Sequence, residues 1–202
     1  MRPLQPFFIR FLCRLFCFGL LYSSPVFAGA QREETLAANV ASAMSRSVTD
    51  LKEPYLVFQS PAEGQRWLSA MSTRLAKRIP DAWARERLLT QIQYEASRAG
   101  LDPQMVLGLI QVESNFRPYA ISSVNAKGLM QVMPFWVNNI GNAQHNLFDV
   151  RTNLRYGCTI LRHYLDRENG NLFLALGRYN GSRGKATYPD AVMQAWRNNW
   201  TW

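Results

Sequence analysis

The chain has 202 residues, 48% hydrophobic and 12% aromatic, enough for one good core and too little for two large domains. Lys and Arg number 23 against 14 Asp and Glu, a net charge of +9 at 18% charged residues, so the composition excludes wholesale disorder. Two His and three Cys leave too few ligands for a zinc or iron–sulfur centre, and neither G-x-x-x-x-G-K-S/T nor G-x-G-x-x-G is present to cradle phosphate, so no cofactor or metal is expected.

Residues 1–30 carry no acidic side chain. Arg2, Arg10 and Arg14 precede an apolar run over 15–22, and the small residues Ala28-Gly29-Ala30 follow. That is the layout of a secretory signal peptide cut after Ala30 or Ala28, and it predicts a periplasmic destination. The alternative is an uncleaved anchor, although a spanning helix needs roughly 20 apolar residues. Neither Cys13 nor Cys17 follows the small residue of a lipoprotein signal. Without this leader the charge is +6 and one cysteine remains, Cys158, which reads as a small buried hydrophobe in a helix.

Residues 31–52 are polar with spaced small apolar residues, a loose helix or an N-terminal extension. Trp67, Leu68, Met71, Leu75 and Ile79 recur at helical spacing up to Pro80. A helix is predicted over 82–99, with Gly100 after it. Asp102-Pro103 is a helix start, Asp as cap and Pro at the first position, and the helix runs to about Glu113. Further helices are predicted over 126–138, 150–168 with Asp149 as cap, 171–179 and 189–199. No strand-like alternation, repeat or low-complexity tract appears. The fold class is all-α, with a compact domain from about 80 to 202 behind a helical extension at 31–80.

One carboxylate stands where a surface residue does not belong. Met105, Val106, Leu109 and Ile110 form an apolar stripe, and Glu113 continues it. It also lies in the last helical turn, where the dipole disfavours an anion. Burial and dipole both push the carboxyl toward its neutral form, and a neutral carboxyl near pH 7 can act as a general acid. A structural Glu paired with a buried Arg satisfies the same periodicity.

The next residues read Glu113-Ser114-Asn115-Phe116-Arg117-Pro118-Tyr119-Ala120-Ile121-Ser122, and then Gly128-Leu129-Met130-Gln131-Val132-Met133-Pro134. This resembles the signature of the soluble-lytic-transglycosylase (SLT) family. Asn153-Leu154-Arg155-Tyr156-Gly157 and Arg178-Tyr179-Asn180-Gly181 resemble two further family blocks in the expected order. The likeness covers about 82–200. One departure is Asn125, where many members have Gly; Asn tolerates left-handed backbone better than most residues.

The resemblance implies a lysozyme-like helical domain of the goose-type lysozyme and SLT kind, with residues 81–202 as the catalytic domain. It implies a peptidoglycan lytic transglycosylase that cleaves the bond between N-acetylmuramic acid and N-acetylglucosamine and leaves a 1,6-anhydro end. Glu113 would be the single acid/base. Ser122, Gln131, Met133 and Tyr179 would contact substrate: Ser122 near the reaction centre, Gln131 on an acetamido group, Met133 on a sugar face, Tyr179 on the Glu113 carboxyl or the substrate. Asn180 would secure its loop. The bland readings are a loop-capping Ser122 and a core Met133.

Ordinary glycosidases use two carboxylates. Asp102 lies at the far end of its helix and Asp149 is a cap, so no second acid is evident. A muramidase of the same fold, using water, is one rival. A non-catalytic peptidoglycan-binding or assembly module is another. Trp196 reads as core, and Trp136, Trp200 and Trp202 stay open between core and sugar stacking. The expected partner is the glycan strand, with cell-envelope machinery as a further candidate and a monomer as the expected state. The positive surplus has no aromatic-interleaved basic cluster, so no nucleic-acid partner is expected.

Overall fold

A computed structural model describes residues 31–49 and 52–202; the leader expected at 1–30 lies outside them. Among the described residues the helices are α1 (Ala38–Thr49), α2 (Pro61–Leu75), α3 (Ala82–Arg98), α4 (Pro103–Ser114), α5 (Phe135–Ile140), α6 (Val150–Arg167), α7 (Leu172–Tyr179) and α8 (Thr187–Ala195), closed by a π-helical turn at Trp196–Trp200. No strand is present among them, only the isolated bridges Ile121–Lys127 and Lys127–Val132. The chain is all-α, as its periodicity predicts.

Helix starts are written in local chemistry. Ser60, Asp81, Asp102, Asp149 and Asn171 each cap the helix that follows by accepting a backbone N–H. Asp102 Oδ1 takes two, from Gln104 at 2.7 Å and Met105 at 3.1 Å, and Pro103 needs no partner at the first position. The expected run to Ile79 is helical only to Leu75, and the chain then turns through 76–78.

Helix α6 is the central strut. From Asn153 through Leu161 every residue is buried, and α1, α3 and α7 pack around it. Helix α4 crosses α8 and the π turn and is apolar nearly all round, which fits a helix with no solvent face. The 31–80 extension shares the same core: Met44 and Val48 from α1, and Trp67, Met71 and Leu75 from α2, join the cluster built by α3, α4 and α6.

Two expectations are corrected. Residues 126–134 are not helical. Lys127 and Val132 exchange backbone hydrogen bonds at 3.0 Å, while Gly128 (φ +76°) and Gln131 (φ +47°) turn the chain back. Ala126, Leu129, Met130 and Val132 are buried from this loop, so their spacing imitates a helical stripe. The helix begins only at Phe135, after Pro134. Trp196 is half-buried against the core, and it is Trp200, packed on Phe116, that is fully enclosed. Helix α8 ends at Ala195, and the π turn rotates the two indoles away from the predicted α spacing.

Candidate active site

The stripe of α4 carries Glu113 inward, and only 1% of it is exposed. The helix stops at once. Asn115 (φ +48°) and Phe116 (φ +63°) both take left-handed backbone, which reverses the chain and fixes the carboxyl at the mouth of the turn. Tyr188, at the start of α8, donates its hydroxyl to Glu113 Oε1 at 2.5 Å. Oε2 has no hydrogen-bond partner among the described residues. Burial pushes the carboxyl up from its usual 4.5 to about 8, and the Tyr188 hydrogen bond pulls it part of the way back. Glu113 is therefore a neutral acid at pH 7, with its unpartnered oxygen able to carry the proton.

Glu95 shows the contrasting case. It is equally buried, but Arg155 (2.8 Å) and Arg98 (2.9 Å) pair with it between α3 and α6. The arginine-paired structural glutamate is Glu95, and Glu113 has no such counter-charge among the groups acting on it.

The loop over 120–134 is stapled from beneath. Asn153 accepts from Met130 N at 2.8 Å and donates to Lys127 O and Leu147 O at 2.8 and 2.9 Å. Ser114 Oγ donates to Leu129 O at 2.8 Å, and Tyr179 Oη donates to Met130 O at 2.7 Å. Gly157, one turn after Asn153 on α6, lets the loop settle on the helix: a Cβ there would lie 2.4 Å from Met130 Sδ. Ser122 Oγ accepts from Val124 N and Ala126 N, which shapes the 122–126 turn around the left-handed Asn125 (φ +67°).

A transglycosylase SLT domain model matches residues 90–194, just over half the chain, from within α3 to the penultimate residue of α8. The chain belongs to the transglycosylase SLT family. It is 36% identical over 106 residues to a transglycosylase of Enterobacteria phage PRD1, covering 49% of this chain and 39% of that protein. It is 34% identical over 130 residues to the membrane-bound lytic murein transglycosylase C of Histophilus somni, covering 56% of this chain and 34% of that one. The matched segment thus spans little more than a third of these relatives. Among solved structures, an inactive mutant of the lytic transglycosylase Slt of Pseudomonas aeruginosa matches at 20% identity and a TM-score of 0.45, over 84% of this chain and 36% of that one.

Within this SLT domain the sequence-predicted residues fall into two groups. Glu113 and Tyr179 lie close enough that the Glu113 charge acts on the Tyr179 hydroxyl, and that of Tyr179 acts on Tyr188. The hydroxyl of Tyr179 nevertheless goes to Met130 O, and the one on the Glu113 carboxyl is Tyr188. Sequence reasoning missed Tyr188 because the last helix was begun at 189. Its signal was the stripe Tyr188, Val192 and Ala195, since a buried tyrosine needs a partner for its hydroxyl. Gln131 and Met133 sit together on the outgoing arm of the stapled loop. Gln131 Nε2 is committed to Ala120 O and Gly128 O, and Met133 is half-buried against the core. Asn180 accepts from Ser182 Oγ at 3.1 Å, a loop contact.

The second residue missed is Gln31, in a segment to which the sequence assigned no chemistry. Its carboxamide bonds Gln131 O, Met133 N and Trp136 Nε1. No periodicity in a polar extension signals that contact.

Proposed function

We propose that this protein is an exported peptidoglycan lytic transglycosylase with Glu113 as its single general acid/base. The observation that carries the reading is a neutral, buried carboxyl whose second oxygen has no partner among the described residues. The proton on Oε2 passes to the glycosidic oxygen as the bond to C1 of the muramyl residue breaks, which frees the 4-hydroxyl of N-acetylglucosamine. The carboxylate left behind takes the proton of the muramyl 6-hydroxyl as that oxygen attacks C1. A 1,6-anhydro ring closes, the carboxyl is neutral again and no water is consumed.

Tyr188 stabilises the carboxylate between these two steps, because its hydrogen bond favours the charged form. No second carboxylate appears among the groups acting on Glu113, which favours an internal nucleophile over a held water. Ser122 accepts two backbone N–H groups and keeps its own hydrogen for a sugar oxygen. Gln131, Met133 and Tyr179 build the neighbouring wall of the cleft, within a catalytic domain at 81–202.

The names of the relatives, membrane-bound and murein-directed, support a place in the cell envelope, and the leader read from residues 1–30 supports the periplasm. No helix among the described residues is long and apolar enough to cross a membrane. The test is mass spectrometry of muropeptides released from isolated peptidoglycan. The expected products are lighter by one water than hydrolytic fragments and absent with Glu113→Gln. Reducing-end products would replace this reading with a hydrolase, and no release with retained wall binding would replace it with a binding module.

A further inference from the structure

The segment from Gln31 to the start of α1 has no regular structure and meets the outgoing arm of the stapled loop. Gln31 is only 4% exposed. Its Oε1 accepts from Met133 N and from Trp136 Nε1, both at 3.1 Å, and its Nε2 donates to Gln131 O at 3.2 Å. Gln31 therefore sits against the loop that carries Gln131 and Met133, two of the side chains proposed to line the cleft.

The chemistry of that notch is specific. Two N–H groups converge on one acceptor, and a carbonyl waits beside them for a donor. A primary carboxamide satisfies this arrangement, and so does the acetamido group on C2 of an N-acetylated sugar, which also offers one carbonyl oxygen and one N–H in a plane. We propose that residues 31–36 form an autoinhibitory strap, whose Gln31 carboxamide holds a subsite that otherwise takes the 2-acetamido group of the glycan. The proposal rests on the functional reading above and adds a regulation to the same site.

The way the strap is held supports its release. Gln31, Arg32, Glu33, Glu34 and Thr35 are polar, and Leu36 is the residue of the segment packed on the core. Glu34 is tied to Arg167 and, at 3.2 Å, to Arg178, the residue before Tyr179. Glu33 accepts from Asn139 at 3.2 Å. An open pocket of about 390 Å³ is lined by Thr35, Leu36, Val40 and His163, and another of about 250 Å³ by Arg32 and Glu34. Hydrogen bonds and ion pairs that water and substrate can replace make a segment of low opening cost. A glycan that binds only the open form must displace the strap, so its apparent affinity falls by the open fraction.

The test is titration of the full chain with tri-N-acetylchitotriose by calorimetry, in the Glu113→Gln background so that nothing turns over. Gln31→Ala is expected to bind about tenfold more tightly than its parent, since three hydrogen bonds no longer favour the closed form. Glu34→Ala, which leaves Gln31 intact and loosens the strap elsewhere, is expected to bind more tightly too. Equal or weaker binding by both Gln31→Ala and Glu34→Ala overturns the strap. With Glu113 intact, muropeptide release separates the two readings. Release that is faster for Gln31→Ala than for wild type supports the strap. Equal release overturns the strap and leaves the transglycosylase reading standing. No release and no glycan binding by either protein overturns both.

Discussion

Replacing Glu113 by Gln is expected to stabilise the fold in a pH-dependent way. Below pH 4.5 the carboxyl is neutral in both the folded and unfolded chain, so Glu and Gln differ little. Between 4.5 and about 8 the unfolded chain ionises this group and the folded chain does not, so wild-type stability falls. Each pH unit across that window costs about 1.4 kcal/mol, so the loss reaches about 3 kcal/mol at pH 7 and about 5 kcal/mol above pH 9, where it saturates. Gln keeps the Tyr188 hydrogen bond with its carbonyl oxygen and does not titrate. Urea unfolding of both proteins, followed by circular dichroism at pH 4, 5.5, 7 and 9, measures the gap directly. It should open from near zero to about 5 kcal/mol in favour of Gln. A gap constant within about 1 kcal/mol over this range would refute the argument that burial holds Glu113 neutral.

The activity should follow the same group: kcat/KM on peptidoglycan is expected to fall as pH rises through about 8, because the proton donor is lost. Tyr188→Phe removes the hydrogen bond that holds the carboxyl down, so its alkaline limb should move to higher pH while kcat drops about tenfold or more. Asn153→Ala removes three hydrogen bonds, to Met130 N, Lys127 O and Leu147 O, of which Lys127 O keeps the one from Val132 N, and should cost about 2–3 kcal/mol in urea unfolding. Gly157→Ala drives a methyl into Met130 Sδ and should lower stability by about 1–3 kcal/mol, with muropeptide release falling as the loop shifts. Release unchanged by both loop variants would mean that the 127–133 loop does not shape the site.

The caps and the stripe of α4 were legible because they are local. Asp102 before Pro103 and Asp149 before α6 bond to N–H groups two or three residues away, so sequence neighbours settle them. The inward turn of Glu113 follows from helical spacing alone. The 126–134 stretch was misread because buried residues of a stapled loop recur like a helical stripe. The clamp that decides the matter comes from Asn153, Ser114 and Tyr179, far away in the chain.

By itself the sequence determined an all-α chain, the helix starts, the family resemblance and the carboxylate that stands out from its stripe. Each depends on spacing within a few turns or on a contiguous motif. The tertiary structure decided which tyrosine meets that carboxylate, which glutamate is paired with arginine, and where Gln31 lands. Those outcomes depend on contacts between residues 60 to 105 positions apart, whose geometry exists only once α3, α4, α6 and α8 have packed. The neutral state of Glu113 belongs to both levels: helical spacing aims the side chain inward, and the packed core around it removes the water that would otherwise let it ionise.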